Sequence, residues 1–148
     1  MIQVSMVPKE HVDAVWKDVE GYLEGAAKYT YGRYEVEDIY DSITQYDSDL
    51  WIAFEDEGKI IGAVVTRFID YPRKRFLSMD FTGGVQLKKW KQKMLELLQK
   101  WAYDNYCEGI ESSGRPGWSK IFSEDGHKLR FHTYELPVAD TGLGARNG

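Results

Sequence analysis

Residues 109–136 read GIESSGRPGWSKIFSEDGHKLRFHTYEL, a stretch that predicts a strand, a short helix, a glycine turn and a second strand. Pro116 suits a first helical turn because proline has no amide hydrogen to leave unpaired there. Apolar residues recur at helical spacing over residues 118–122, and Gly126 can end that helix. The alternation that follows predicts a final strand whose buried face carries Leu129, Phe131 and Thr133.

Working outward from this stretch, the preceding residues supply a sheet and three longer helices. Residues 87–101 carry a continuous apolar stripe at helical spacing, which predicts a helix packed against the core. Residues 50–54 and 60–69 are strand-like runs joined by a polar loop containing Gly58, so they predict a hairpin. The chain is thus predicted to be α/β (α+β), with a mixed central sheet and the order β-α-α-β-β-β-α-β-α-β. The remaining predicted elements are a strand near residues 2–6, helices near 12–23 and 36–43, and a strand over 75–81.

The length and composition predict one domain. The chain has 148 residues, of which 43% are hydrophobic, enough to bury a sizeable core. We expect a domain over residues 1–138 and a polar, glycine-rich tail over residues 139–148. Neither a signal peptide nor a membrane span is predicted, so we expect a cytoplasmic protein. Cys107 is the only cysteine and the three histidines are isolated, so no disulfide or metal site is expected.

The charge is distributed unevenly along the chain. The formal net charge is −5, but residues 1–60 hold 14 acidic and 5 basic side chains, whereas residues 61–148 hold 10 acidic and 14 basic ones. The first part therefore favours a cationic ligand and the second part an anionic one. Alternatively, the lysines of residues 88–100 form only the solvated face of a helix. Nucleic acid is not an expected partner, since the acidic part would repel it.

Two longer segments resemble a known family. WIAFEDEGKIIGAVVTRF at residues 51–68 forms the predicted paired strands, and GGVQLKKWKQKMLELLQKWAYDNYCEGIESSGRPGWSKIFSEDGH covers residues 83–127. Together with the element order, they resemble the GNAT superfamily of acyl-CoA-dependent N-acetyltransferases over residues 1–136. The second segment is most similar to short GNAT-like proteins encoded by bacteriophages, including those in podovirus virion gene clusters.

The resemblance implies acetyl-CoA as co-substrate and no metal. In the family, amides of an Arg/Gln-x-x-Gly-x-Gly/Ala loop bind the pyrophosphate; here the matching residues are TGGVQL, without the Arg or the spaced glycines. The family also carries a Tyr that protonates the departing thiolate, and Phe122 stands at the matching position. The implied cofactor-binding residues are Met79, Phe81, Thr82, Gly83, Gly84, Val85, Gln86 and Arg115.

Acyl transfer to an amine needs a base for the amine proton, and two carboxylates are candidates. Asp80 lies at the end of the fourth strand and Glu111 on the fifth, where the strands are expected to separate. Either is equally a surface carboxylate paired with Arg115 or a lysine. A backbone amide near residues 79–81 would polarise the carbonyl. Arg115 itself either binds phosphate or anchors a turn.

The sequence and the resemblance predict two alternative functions. The first is transfer of an acetyl group from acetyl-CoA to a primary amine of a small molecule or protein. The alternative is a bacteriophage protein that keeps the fold as a virion-associated or host-interaction scaffold without catalysis. Its partners would be phage structural proteins or further copies of the chain, in the virion or the host cytoplasm. On that hypothesis residues 29–34 and the tail would form the contacts.

Overall fold

The structure is a computed structural model, which describes residues 1–113, 124 and 126–138. The chain divides into two compact units, residues 1–113 and 114–148. The first unit contains β1 (Gln3–Val7), α1 (Val12–Ala27), α2 (Val36–Gln45), β2 (Asp49–Phe54), β3 (Ile60–Asp70), β4 (Arg75–Gly84), α3 (Leu87–Asp104) and β5 (Gly109–Ser112).

The five strands form one mixed sheet in the order β1-β2-β3-β4-β5. Neighbouring strands from β1 to β4 pair antiparallel, whereas β4 and β5 pair parallel across the α3 crossover. A parallel pair needs such a crossover because the chain must return to the same end of the sheet. The α/β fold class and the predicted order through the fifth strand are confirmed.

The helices cover both faces of the sheet, so the core has two halves. Alternate strand residues point to opposite faces. Leu50 and Val65 lie in the half that packs under α1 and α2, while their neighbours Trp51 and Val64 lie in the half under α3. The apolar stripe predicted for α3 is confirmed as core, since the most deeply buried side chains of this helix are Trp90, Met94 and Leu98.

Two glycines set how closely the backbone elements approach one another. A Cβ at Gly83 of β4 would lie 2.3 Å from the carbonyl oxygen of Tyr22 in α1. A Cβ at Gly62 of β3 would lie 2.4 Å from the indole of Trp90 in α3. Because neither space can hold a methyl group, the two glycines let α1 and α3 pack directly on the sheet.

Lys9 caps the end of α2. Its ammonium donates hydrogen bonds to the carbonyl oxygens of Ile43, Tyr46 and Ser48 at 2.5, 3.2 and 2.6 Å. The last carbonyls of a helix have no partner within the helix, and a cation at that end also complements the helix dipole.

Replacing Lys9 with Met is expected to lower the free energy of unfolding by about 1.5–3 kcal/mol, the range for hydrogen bonds to a charged group. Urea denaturation measures the change. Lys17→Met in α1 is the control, because Lys17 is exposed and its removal should change stability by no more than ~0.5 kcal/mol. Equal midpoints for the two variants would show that the cap contributes nothing.

The predicted final strand is wrong. Residues 127–138 have no regular secondary structure, and Leu129 and Phe131 are 71% and 82% exposed. Alternating apolar residues favour a strand, but a strand also needs a backbone ladder, and these residues form none. Gly126 does have the positive φ, +87°, that suits a turn. The predicted helix over residues 118–122 and the tail over 139–148 lie outside the described residues.

Among the described helices, none combines the length and apolar character that crossing a membrane requires.

Candidate functional site

The pairing between the parallel strands β4 and β5 ends halfway along β4. Their register begins at Phe76 opposite Gly109 and ends at Met79 opposite Ser112, whereas β4 continues to Gly84. Beyond Met79, β5 offers no partner for the facing edge of β4. Backbone donors and acceptors on such an edge can bind an extended ligand that contains amide groups.

A β-bulge lies next to the end of this pairing. Val65 pairs with Phe81, but the next residue, Thr66, pairs with Met79, so Asp80 is an extra residue in β4. The bulge changes the face that the strand presents: Met79 packs on the α3 side of the sheet and Phe81 on the α1 side. An extra residue in a bulge is left outside the regular ladder. This is the segment in which a carbonyl-polarising amide is predicted.

Five polar side chains meet near the bulge, and we call them the splay cluster: Arg67, Tyr71, Ser78, Asp80 and Glu111. Asp80 is engaged through both carboxylate oxygens. Its Oδ2 pairs with Nε of Arg67 at 2.6 Å, and its Oδ1 accepts a hydrogen bond from the buried Ser78 hydroxyl at 2.6 Å. The Asp80 side chain is only 16% exposed. Asp80 is therefore held in place, and each of its oxygens already has a partner.

Glu111 is held differently. Its Oε1 accepts a hydrogen bond from the phenol of Tyr71 at 2.7 Å. It lies opposite Ser78 in the β4–β5 register, which places it beside the Asp80 network. Within residues 1–113, Glu111 forms no ion pair, and Oε2 has no hydrogen-bond donor. Among the described residues, Glu111 thus has one carboxylate oxygen without a partner, near the end of the β4–β5 pairing.

The hydrogen bond to Glu111, followed by partial burial and the charge of Glu111, raises the pKa of the Tyr71 phenol above its ordinary value, against an opposing effect of Arg67. Tyr71 therefore remains protonated at neutral pH. Its ring is oriented by an edge contact with Phe76 at 5.9 Å between ring centroids. Its amide donates to the Lys74 carbonyl across the β3–β4 turn.

The structure brings the two predicted carboxylates into one cluster and distinguishes them. The alternative of a paired surface carboxylate applies to Asp80, whose partner among the described residues is Arg67 and not a lysine. The i and i+2 spacing of Ser78 and Asp80 on one strand could have indicated their contact. Tyr71 could not have been found, because its contact with Glu111 joins residues 40 positions apart in the chain.

The predicted cofactor loop is shorter than expected. Thr82, Gly83 and Gly84 belong to β4, where they pair with Val64, Ala63 and Gly62; the prediction that the strand ends at residue 81 is wrong. Only Val85 and Gln86 connect β4 to α3. The tight connection arises because Gly84, at φ +141°, packs on the backbone of Gly62.

The amides available to an anion lie at the start of α3. The Val85 amide is already bonded to the Ile61 carbonyl at 2.8 Å. Gln86, at φ 54°, is the N-cap residue and makes no side-chain cap hydrogen bond. The first turn contains Lys88 and Lys89 and no acidic residue. First-turn amides point out of a helix, so this end can accept phosphate oxygens.

Cys107 contributes nothing further to the described site. Burial raises the pKa of the Cys107 thiol, which opposes the thiolate form that a nucleophile needs. Cys107 packs beside the core under α3. Arg115 and Phe122 lie outside the described residues.

The fold is that of the GNAT-like acetyltransferases, as comparison with solved structures shows. An aminoglycoside acetyltransferase, HMB0005, from an uncultured soil metagenomic sample aligns with a TM-score of 0.71 at 12% identity, over 94% of this chain and 99% of its own. A structure described as a probable acetyltransferase gives 0.70 at 14% identity, over 93% and 99%.

A second aminoglycoside acetyltransferase, meta-AAC0020, also from an uncultured soil metagenomic sample and solved in complex with sisomicin, gives 0.65 at 9% identity, over 93% of this chain and 97% of its own. No protein-family model and no curated protein sequence matches the chain.

Proposed function

We propose that the protein transfers an acetyl group from acetyl-CoA to a primary amine, with Glu111 as the general base. One observation carries the proposal: among the described residues, Glu111 has one carboxylate oxygen without a partner, near the end of the β4–β5 pairing and the bulge at Asp80. The acetyltransferase fold supports the reaction class.

The described residues suit acetyl-CoA in two respects. The edge of β4 that β5 leaves unpaired beyond Met79 can accept the amide groups of its pantetheine arm. The first turn of α3, with Lys88 and without acidic side chains, can accept its phosphates. Acetyl-CoA would supply an activated acyl group with a thiolate as leaving group. An amide near the bulge would stabilise negative charge on the carbonyl oxygen.

The acceptor is proposed to be a cationic amine. Residues 1–60 hold 14 acidic and 5 basic side chains, and they include α1 and α2 on the sheet face that carries Phe81. Such an excess attracts amines that carry additional positive charges. The complex of one structural neighbour with sisomicin agrees with this class of acceptor.

Binding of acetyl-CoA is the first test. At 100 times its dissociation constant, acetyl-CoA should raise the free energy of unfolding by ~2.7 kcal/mol through mass action. Chemical denaturation with and without acetyl-CoA measures the difference. No stabilisation by millimolar acetyl-CoA would refute the proposal.

A charge reversal then tests where the phosphates bind. Lys88→Glu at the start of α3 should weaken binding of acetyl-CoA. Lys74→Glu is the matched control, because residue 74 precedes β4 at the opposite end of the strand from Gly84, roughly 30 Å away at 3.3 Å per residue. Equal losses in both variants would indicate a nonspecific charge effect.

The scaffold alternative stays a prediction. Three exposed tyrosines, Tyr29, Tyr31 and Tyr34, lie between α1 and α2 and could contact other chains. None of the solved structures named above is described as a phage or virion protein. Measured acetyl transfer by the wild-type protein would exclude a scaffold that has lost catalysis.

A further inference from the structure

The splay cluster contains a phenol that the proposed transfer has not used. Tyr71 is 46% exposed, and its hydroxyl donates a hydrogen bond to Glu111. The bond joins it to the proposed base at 2.7 Å. Its ring rests on Phe76 and its backbone closes the β3–β4 turn. The phenol is thus oriented before any substrate arrives.

We propose that Tyr71 donates the proton that the leaving thiolate requires, and that Glu111 and Tyr71 form a two-residue proton relay. This inference rests on the proposed function. The chain has Phe at residue 122, and a phenyl ring cannot donate a proton. Tyr71 reaches the reaction from a different element, the β3–β4 turn.

The relay neither gains nor loses a proton over the whole reaction. The amine nitrogen bonds to the thioester carbon and loses its proton to Glu111. The carbon–sulfur bond breaks with its electron pair on sulfur, and sulfur takes the phenolic proton of Tyr71. Glu111, now protonated on Oε2, then turns its carboxyl group and donates this proton to the Tyr71 oxygen. One proton has moved from nitrogen to sulfur, and both side chains return to their starting forms.

The hydrogen bond between Tyr71 and Glu111 suits this order of proton transfers. While Glu111 is ionised, the phenolic hydrogen points to its carboxylate. Protonation of Glu111 neutralises the carboxylate and weakens this hydrogen bond, so that the phenolic hydrogen becomes available to sulfur. Within the splay cluster, Arg67 is paired with Asp80, so Glu111 and Tyr71 are the members left to exchange a proton.

Tyr71→Phe tests the relay because it removes the hydroxyl and keeps the ring on Phe76. We expect kcat to fall about 100-fold, within the usual range for general acid catalysis, with unchanged acetyl-CoA affinity. The assay measures release of coenzyme A thiol with the best acceptor among a polyamine, an aminoglycoside and a lysine peptide. Tyr103→Phe is the control, since Tyr103 is 82% exposed on α3 and should retain wild-type activity.

The double variant Tyr71→Phe, Glu111→Gln separates a relay from two independent effects. In a relay it should be no slower than Glu111→Gln alone, because the two residues act as a unit. Additive losses, or an active Tyr71→Phe protein with wild-type kcat, would overturn the relay while leaving acetyl transfer established. A wild-type protein that binds no acetyl-CoA would instead overturn the proposed function and the relay together.

Discussion

Glu111→Gln is expected to lower kcat for amine acetylation about 100- to 10,000-fold, the contribution of a general base. A glutamine side chain keeps an oxygen that can accept the Tyr71 hydrogen bond, but it cannot take the amine proton. The fold and acetyl-CoA affinity should therefore be preserved. Steady-state kinetics and denaturation of the same preparation measure both.

Glu20→Gln in α1 is the matched control, because it makes the same chemical change at an exposed helix position. It should leave kcat unchanged. A Glu111→Gln protein with wild-type kcat would refute the assignment of the base. If Asp80→Asn were inactive in the same assay while it remained folded, the base would be Asp80.

Gly84→Ala is expected to destabilise the protein by about 3 kcal/mol or more, combining backbone strain and overpacking. A Cβ there would lie 2.5 Å from both Cα of Gly62 and the carbonyl oxygen of Ile61. Both neighbours are backbone atoms of β3, so they cannot rotate away. At φ +141° the alanine would also be strained. Thermal unfolding should show a loss of roughly 10 °C.

Gly25→Ala is the control for this substitution. Gly25 lies in α1, and a Cβ there would meet nothing within 4 Å. Alanine favours a helix over glycine, so this variant should gain ~0.5–1 kcal/mol. Opposite signs for the two glycine variants are the expected result. Wild-type stability of Gly84→Ala would show that β3 and β4 separate to admit the methyl group.

The helices and the hairpin could be predicted because their signals are local. The apolar stripe of α3 and the paired runs of β2 and β3 are periodic over many residues, and both are confirmed. The prediction of the final strand was wrong. Alternation over residues 129–133 reflects only a side-chain preference, whereas a strand also needs a pairing partner elsewhere in the chain.

The candidate site could likewise be predicted only where its signals are local. Asp80 and Glu111 could be chosen from their predicted strands, and the α3 crossover does place those strands side by side. Which carboxylate has an open oxygen could not be predicted. That difference depends on Arg67 and Tyr71, which lie 13 and 40 positions from their partners in the chain.

The sequence by itself determined the element order through β5 and the buried stripe of α3, because hydrophobic periodicity specifies which face of an element is buried. Tertiary structure decided the bulge at Asp80, the tight turn from Gly84 into α3 and the contact of Tyr71 with Glu111. These depend on strand register and on close backbone approach, which arise only when distant segments pack together.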